Sequence, residues 1–206
     1  NDSAIQRSEI LLFIALAKFR LLEIEMKTKN VGANKEGKKS EIIDLYTRAL
    51  NVLMESSDYI AKIQSAKIHD SLGRFYLNFP ISDKSVEKEN LVIVHFEKSI
   101  SIKRDVEDKL GLAISLYGLA EFNEKEGDRK SAVLNFKEAA AINMEIGSFE
   151  FAARAFLKIV TLEQKLGDSG EESLEMVRNI LDSGELGQSE DAIHRHSQEN
   201  GQVCNE

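Results

Sequence analysis

Residues 127–142 read Gly-Asp-Arg-Lys-Ser-Ala-Val-Leu-Asn-Phe-Lys-Glu-Ala-Ala-Ala-Ile, and residues 37–50 repeat their pattern as Gly-Lys-Lys-Ser-Glu-Ile-Ile-Asp-Leu-Tyr-Thr-Arg-Ala-Leu. The glycine-aspartate pair that opens the first stretch returns forty residues later as Gly167-Asp168. A repeat of this size is typical of a solenoid, in which one unit cannot bury its own apolar face and stacks on a neighbour. A solenoid usually offers a surface to another protein, but the repeat does not indicate which protein.

The composition agrees with a chain made of helices. Of 206 residues only Pro80 is a proline, and there is no tryptophan. Because proline interrupts helices, its near absence permits long uninterrupted ones. The net charge of −8 argues against a partner that is nucleic acid, since a duplex-binding surface is usually basic. The single cysteine, Cys204, excludes an internal disulfide and makes a reducing, cytoplasmic location the expectation.

The most apolar stretch, Ile10 to Leu22, is too short to cross a membrane and contains Lys18 and Arg20. We expect it to be a buried helix of the solenoid, and we expect no membrane partner. The chain begins with Asn1 rather than Met, which favours a piece of a longer protein.

Apolar periodicity and capping residues predict eight helices. They cover about residues 3–28, 40–55, 59–78, 89–103, 105–126, 128–146, 148–167 and 171–181. The inward face of the third helix is predicted to comprise Ile60, Ile63, Ile68, Leu72, Phe75 and Tyr76. We expect one helical domain over residues 1–182 and a disordered tail over residues 183–206, which is rich in Ser, Gly, Glu and Gln.

A small residue, an aromatic four positions later and a second small residue recur in the second helix of each predicted hairpin. The clearest set is Ala132, Phe136 and Ala139, and weaker sets are Ile42, Tyr46, Ala49 and Val92, Phe96, Ser99. This pattern resembles the tetratricopeptide repeat. The resemblance covers about residues 3–182 and implies an all-α, right-handed superhelix of about four antiparallel helical hairpins. The units are nearer forty residues than the family's 34, and a HEAT-like solenoid is the alternative.

No grouping of residues predicts catalysis. His69 and His95 are expected to be ordinary helix histidines, and the glycines stand singly at helix ends rather than in a phosphate-binding loop. His194 and His196 with Cys204 fit no tight zinc spacing. We therefore expect neither enzymatic activity nor a metal or cofactor.

The resemblance also implies where a partner binds, because in tetratricopeptide arrays the first helix of each hairpin lines the groove. Projected onto this chain, that geometry selects the candidate binding residues Lys67, Arg74, Asn78, Arg154, Lys158 and Lys165. These predominantly basic positions in an acidic protein could receive an acidic segment or a terminal carboxylate. The alternative is that they are solvated helix faces.

The leading functional hypothesis is a non-catalytic interaction module that holds a peptide or helix of a partner protein. The rival is a regulatory sensor domain of a larger protein, whose superhelix responds to a peptide or small ligand. An enzyme is a third hypothesis, without a supporting residue set. Self-association through the apolar N-terminal helix is also expected if that end of the solenoid lacks a polar cap.

Overall fold

The computed structural model describes residues 2–28, 34–54, 56, 58–79 and 87–183, and within them it contains eight helices and no strand. The helices are α1 (Asp2–Lys27), α2 (Lys35–Leu53), α3 (Tyr59–Asn78), α4 (Glu87–Asp105), α5 (Lys109–Glu126), α6 (Arg129–Glu145), α7 (Phe149–Lys165) and α8 (Glu171–Asp182). Within each of the two compact parts of the chain, neighbouring helices pack on one another as hairpins, and the eight helices confirm the all-α prediction. Among the described residues, no helix combines the length and apolarity that a membrane crossing needs.

The chain divides into two compact units, residues 1–108 and 109–206. In the first unit α1 packs on α2 and α3 packs on α4, while α3 also contacts α1 and α2. Phe19 of α1 meets Phe75 and Phe79 of the α3 segment edge-on, with both pairs of ring centroids 5.6 Å apart. Such aromatic contacts stabilise a core beyond the area they bury. They join the first hairpin to the second within this unit.

In the second unit α6 packs against both α5 and α7, and α8 packs on α7. Its core consists of fully or nearly fully buried side chains from three helices: Ala120, Ala132, Val133, Phe136, Ala140, Ala155, Ile159 and Leu162. The repeat positions Ala132, Phe136 and Ala139 all have no exposed surface. The small residues let neighbouring helices approach closely, and the aromatic fills the space between them.

Glycine and aspartate form the turns of the second unit as the repeat predicted. Gly127 and Gly167 adopt left-handed backbone conformations, with φ of 86° and 88°, which glycine adopts at little steric cost. The carboxylate of Asp128 accepts a hydrogen bond from the backbone N–H of Ser131 at 3.1 Å and so caps α6. Ser148 occupies the corresponding position before α7, but its side chain forms no capping hydrogen bond.

Two predicted helix starts were wrong. Helix α2 begins at Lys35 rather than Ser40, because the lysines and glutamate of this segment favour a helix and a single glycine, Gly37, is tolerated inside it. Helix α4 continues to Asp105, and α5 begins only at Lys109. The intervening Glu107 has a φ of 57°, a left-handed conformation that interrupts the helix.

The predicted inward face of α3 needs one correction. Ile60 is 54% exposed and Ala61 is buried in its place, so the buried face at the start of the helix is rotated by about one residue. The predicted positions Ile68, Leu72, Phe75 and Tyr76 are buried. The predicted tail, with His194, His196 and Cys204, lies outside the described residues except for Ser183.

Candidate functional site

In the first unit, the three candidate residues Lys67, Arg74 and Asn78 lie on α3, with Lys67 and Asn78 exposed and Arg74 half-buried. The Nδ2 of Asn78 donates a hydrogen bond to Glu23 Oε1 on α1 at 3.1 Å. The side chain that we expected to bind a peptide backbone therefore ties α3 to α1. Sequence reasoning did not select Glu23, which is 55 residues away along the chain.

Arg74 belongs to a charge cluster that extends into the unit's interior. Its Nε donates to Asp70 Oδ2 at 3.0 Å, and the other carboxylate oxygen of Asp70 lies 3.9 Å from Lys103 Nζ of α4. Lys103 is buried, and burial lowers the pKa of its amine, although Asp70 and Asp108 oppose that shift. One carboxylate thus serves two cations, and it reduces the positive field that Arg74 presents outside.

In the second unit, Lys158 of α7 bridges to α5, with its Nζ 2.8 Å from Glu124 Oε2. The ion pair raises the pKa of Lys158, so this amine stays protonated. Tyr117 of α5 is half-buried and packs edge-on against Phe136, with ring centroids 4.9 Å apart. Burial raises the pKa of the Tyr117 hydroxyl, Glu121 raises it further, and the Lys158 cation opposes both effects. The Tyr117 hydroxyl is therefore influenced by a carboxylate, that of Glu121, and by a cation, that of Lys158.

The other two candidates of α7 are more accessible. Arg154 forms an ion pair with Glu150 one turn earlier, and its guanidinium lies 5.6 Å from the centroid of the Phe151 ring. Lys165 is exposed in the last turn of α7, where a cation is favoured by the helix dipole. Each unit therefore carries three of the predicted residues, and Arg74, Arg154 and Lys158 each stand beside a carboxylate. The surfaces are mixed in charge rather than purely basic.

The structure also brings together two histidines that sequence reasoning had treated separately. His69 Nδ1 of α3 and His95 Nδ1 of α4 are 2.9 Å apart, and the Tyr76 ring stacks on His95 at 5.7 Å with planes 10° apart. Burial lowers the pKa of both imidazoles to about 4, with Lys98 contributing to each and His95 also contributing to the shift of His69. At neutral pH both rings are uncharged, so one donates its Nδ1–H and the other accepts.

Within the described parts of the chain, no group of three or more His, Cys, Asp or Glu side chains is arranged to hold a metal ion. The histidine pair is a contact between α3 and α4. The 26 residues that separate the two histidines in sequence gave no signal for it.

No protein-family model matches this chain, and no curated protein does. Among solved structures it is similar to the crystal structure of aspartyl phosphate phosphatase F from Bacillus subtilis, with a TM-score of 0.59 and 18% sequence identity. The match covers 90% of this chain and 42% of that one, so the chain spans less than half the length of the protein it matches. At this identity the likeness shows the fold, and it supports a tetratricopeptide-like helical repeat.

Proposed function

We propose that this chain is a non-catalytic interaction module, which binds a peptide or helix of a partner protein on the first helices of its hairpins. The observation that carries the proposal is the surface of α5 and α7, where half-buried Tyr117 packs on Phe136 and the Lys158 amine, one turn from Arg154, lies 2.8 Å from Glu124 of α5. Tyrosine and arginine are the side chains that most often dominate the binding energy of protein interfaces. The cross-helix bond from Lys158 to Glu124 holds the Lys158 amine in place before a partner arrives.

An acidic segment is the partner chemistry that this surface fits best. The ion pair of Arg154 with Glu150 is exposed, and such a pair stabilises a protein by about 0–1 kcal/mol, so an incoming carboxylate displaces Glu150 at little cost. Lys165 adds a second exposed cation at the end of the same helix. In the first unit Lys67 and Arg74 offer a weaker counterpart, because Asp70 already engages Arg74.

Charge reversal tests the proposal, with a matched control in each unit. The test variants are Arg74→Glu in the first unit and Arg154→Glu with Lys158→Glu in the second. Each control carries the same change in charge as its test variant, on the second helix of a hairpin: Arg48→Glu on α2 for the first unit, and Arg129→Glu with Lys130→Glu on α6 for the second. Partners are selected from a library of acidic peptides displayed on phage, and affinity is measured by titration calorimetry.

We expect the second-unit double variant to weaken binding at least tenfold, while its control variant binds like the wild type and circular dichroism shows equal helicity. Wild-type binding should also weaken with salt, because exposed charges are screened over about 10 Å at 0.1 M. Binding that resists both charge reversal and salt would place the partner elsewhere on the chain.

The absence of catalysis is part of the proposal and needs its own experiment. The structurally similar protein is named as a phosphatase of aspartyl phosphate, so the relevant substrate chemistry is an acyl phosphate. We expect acetyl phosphate, a small acyl phosphate, to hydrolyse at the same rate with this chain as in buffer alone. Acceleration that disappears when one titratable residue is replaced would instead establish an enzyme.

The regulatory sensor is the second candidate. The match covers 42% of a longer protein that is named as a phosphatase, so a fold of this kind stands there beside further chain that it could regulate. A sensor changes conformation when its ligand binds, whereas a scaffold does not. Spin labels at Thr47→Cys and Thr161→Cys, in a Cys204→Ser background, would report a distance between the two units. A ligand-dependent change in that distance favours the sensor. An unchanged distance at saturating peptide favours the scaffold.

The predicted cytoplasmic location is tested by the distribution of the tagged full-length protein after cell fractionation.

A further inference from the structure

Helix α1 exposes a second apolar face. Five large apolar side chains of this helix reach into solvent, namely Ile10 (58% exposed), Phe13 (65%), Ile14 (41%), Leu21 (55%) and Ile24 (57%). We call these five residues together with exposed Ala17 the outer stripe. At roughly half exposure, side chains of about 150–200 Å² each leave on the order of 500 Å² of apolar surface in water, as much as the largest patch on a typical monomer.

The outer stripe is not a displaced part of the core. The opposite face of α1 packs in the core, because Leu12, Ala15, Phe19 and Leu22 are buried. Ser8 on that face is also buried and donates its hydroxyl to the backbone carbonyl of Ala49 on α2 at 3.1 Å. Rotating the helix to bury the stripe would therefore expose the core, so the stripe can be covered only by a segment or a molecule outside the described residues.

Four of the five large residues of the outer stripe are spaced symmetrically about Ala17, whereas Ile14 has Arg20 at the mirrored position. Phe13 and Leu21 lie four residues before and after this position, and Ile10 and Ile24 lie seven residues before and after it. A two-fold interface requires such a pattern, because residue i of one copy meets residue j of the other and j meets i. The small residue at the centre lets two helices approach closely where they cross.

We propose that two copies of this chain pair through α1, antiparallel, about a two-fold axis at Ala17. Ile10 of each copy then packs near Ile24 of the other, and Phe13 packs near Leu21. The two stripes together bury about 1,000 Å², the lower limit for a specific interface, so the dimer is weak and depends on concentration.

The charges beside the axis do not oppose this pairing. Lys18 and Arg20 flank Ala17, and a second copy brings two further cations to the same place. Each is neutralised within its own chain, since Lys18 Nζ lies 3.0 Å from Glu41 Oε1 and Arg20 Nη1 lies 2.9 Å from Glu23 Oε2. A second copy therefore meets an apolar surface whose neighbouring cations, Lys18 and Arg20, are already paired with carboxylates.

Sedimentation equilibrium of the purified chain from about 1 to 200 µM tests whether the dimer forms, since a weak interface dissociates within this range. We expect a monomer at the low end and a growing dimer fraction at the high end. Phe13→Glu with Leu21→Glu should raise the dimer dissociation constant at least tenfold. The matched control, Leu134→Glu with Leu157→Glu, replaces two exposed leucines of the second unit and should leave the constant unchanged. A wild-type chain that stays monomeric throughout would overturn the proposal, because the stripe would then serve a different segment or partner.

Orientation is tested by a charge exchange. Residues 10 and 24 are about 21 Å apart along one helix, so they cannot pair within a copy. In the antiparallel dimer, Ile10→Lys with Ile24→Glu places opposite charges together, whereas Ile10→Lys with Ile24→Lys places like charges together. We expect the first variant to dimerise at least tenfold better than the second. Equal behaviour, or failure of Ala17→Cys in a Cys204→Ser background to form a disulfide-linked dimer faster than Thr47→Cys, would exclude this geometry.

Discussion

At the scale of single residues, the facing Nδ1 atoms of His69 and His95 share one proton at neutral pH. Protonating both rings replaces this hydrogen bond by two donors in contact, next to the Lys98 cation. Because each folded-state pKa of about 4 lies below the ordinary value of 6.5, the unfolded chain binds more protons between these limits. Stability is therefore present above pH 6.5 and is lost as the pH falls toward 4.

We expect the free energy of unfolding to fall by about 2 kcal/mol between pH 7.5 and pH 5, after discounting for the partial exposure of both rings. Urea unfolding of the wild type and of His69→Gln with His95→Gln measures the effect. The double variant should lose most of this pH dependence. In the wild type, the ring protons of both residues should show no titration near pH 6.5 by NMR. Titration of either ring at its ordinary pH would show that burial and the neighbouring cation do not lower its pKa.

Residue identities predicted the repeat positions but not the polar partners. Ala132, Phe136 and Ala139 could be found because burial imposes size and apolarity on each position separately. Partners such as Glu23 for Asn78 or Glu124 for Lys158 are surface carboxylates, 55 and 34 residues distant along the chain, among many similar ones. Only the fold determines which of them meet, so the sequence could place the candidate residues on helices but could not predict the carboxylates beside them.

At the scale of elements, a glycine on α3, Gly73, permits the close approach of α3 and α4. A Cβ added to Gly73 would lie 3.0 Å from two ring atoms of Phe96, whose side chain is fully buried. Beside this contact the buried hydroxyl of Ser99 on α4 donates to the Ala66 carbonyl of α3 at 2.9 Å. The small residues of the repeat thus act in both helices of this hairpin.

We expect Gly73→Ala to destabilise the chain by about 1 kcal/mol. Overpacking against Phe96 costs about 1–3 kcal/mol, and the better helix propensity of alanine returns about 1 kcal/mol. Denaturant unfolding of Gly73→Ala, Phe96→Leu and the double variant measures the coupling. The double variant should be more stable than the sum of the single changes predicts. Strict additivity would show that the two residues do not touch.

Ala139 gives the corresponding test in the second unit. Its side chain has no exposed surface, and it stands at the second small position of the repeat. Ala139→Leu should therefore lower the free energy of unfolding by about 1–3 kcal/mol, because three further carbons have no space. Ala141→Leu, at an exposed position of the same helix, is the control and should be nearly neutral. Equal stability of the two variants would show that the predicted register of α6 is wrong.

Helix positions followed from the sequence where a strong signal marks each end. Helix α3 was predicted at its observed bounds, Tyr59–Asn78. Helix α2 was predicted too short because residues 35–39 suit either a lysine-rich loop or a helix, and contacts with α1, such as Lys38 Nζ at 2.6 Å from Glu25 Oε2, favour the helix. The boundary between α4 and α5 was misplaced because Glu107 gives no local indication of its left-handed backbone.

At the scale of the whole molecule, the first and last described helices differ in what they show to solvent. Helix α1 carries the outer stripe, whereas α8 buries Ser173, Val177 and Ile180 against its own unit and exposes mostly charged residues. The exposed charged residues of α8 are Glu171, Glu172, Glu175, Arg178 and Asp182. A polar outer face is what a terminal helix of a repeat array needs to remain soluble. Among the described helices, α8 therefore has the polar outer face of a cap, and α1 does not.

The last prediction follows from that cap. Deleting residues 184–206 should shift the melting temperature by less than about 2 °C, the change that on the order of 1 kcal/mol produces in a chain of this size. Ile180→Ala in the full-length chain is the positive control, because Ile180 is buried and its truncation should cost about 2–5 kcal/mol. Differential scanning calorimetry compares the three proteins at one concentration, so that association through α1 contributes equally to each. A large drop on deletion would mean that Leu186, Ile193 or Val203 contributes apolar surface to the second unit and that α8 alone does not cap it.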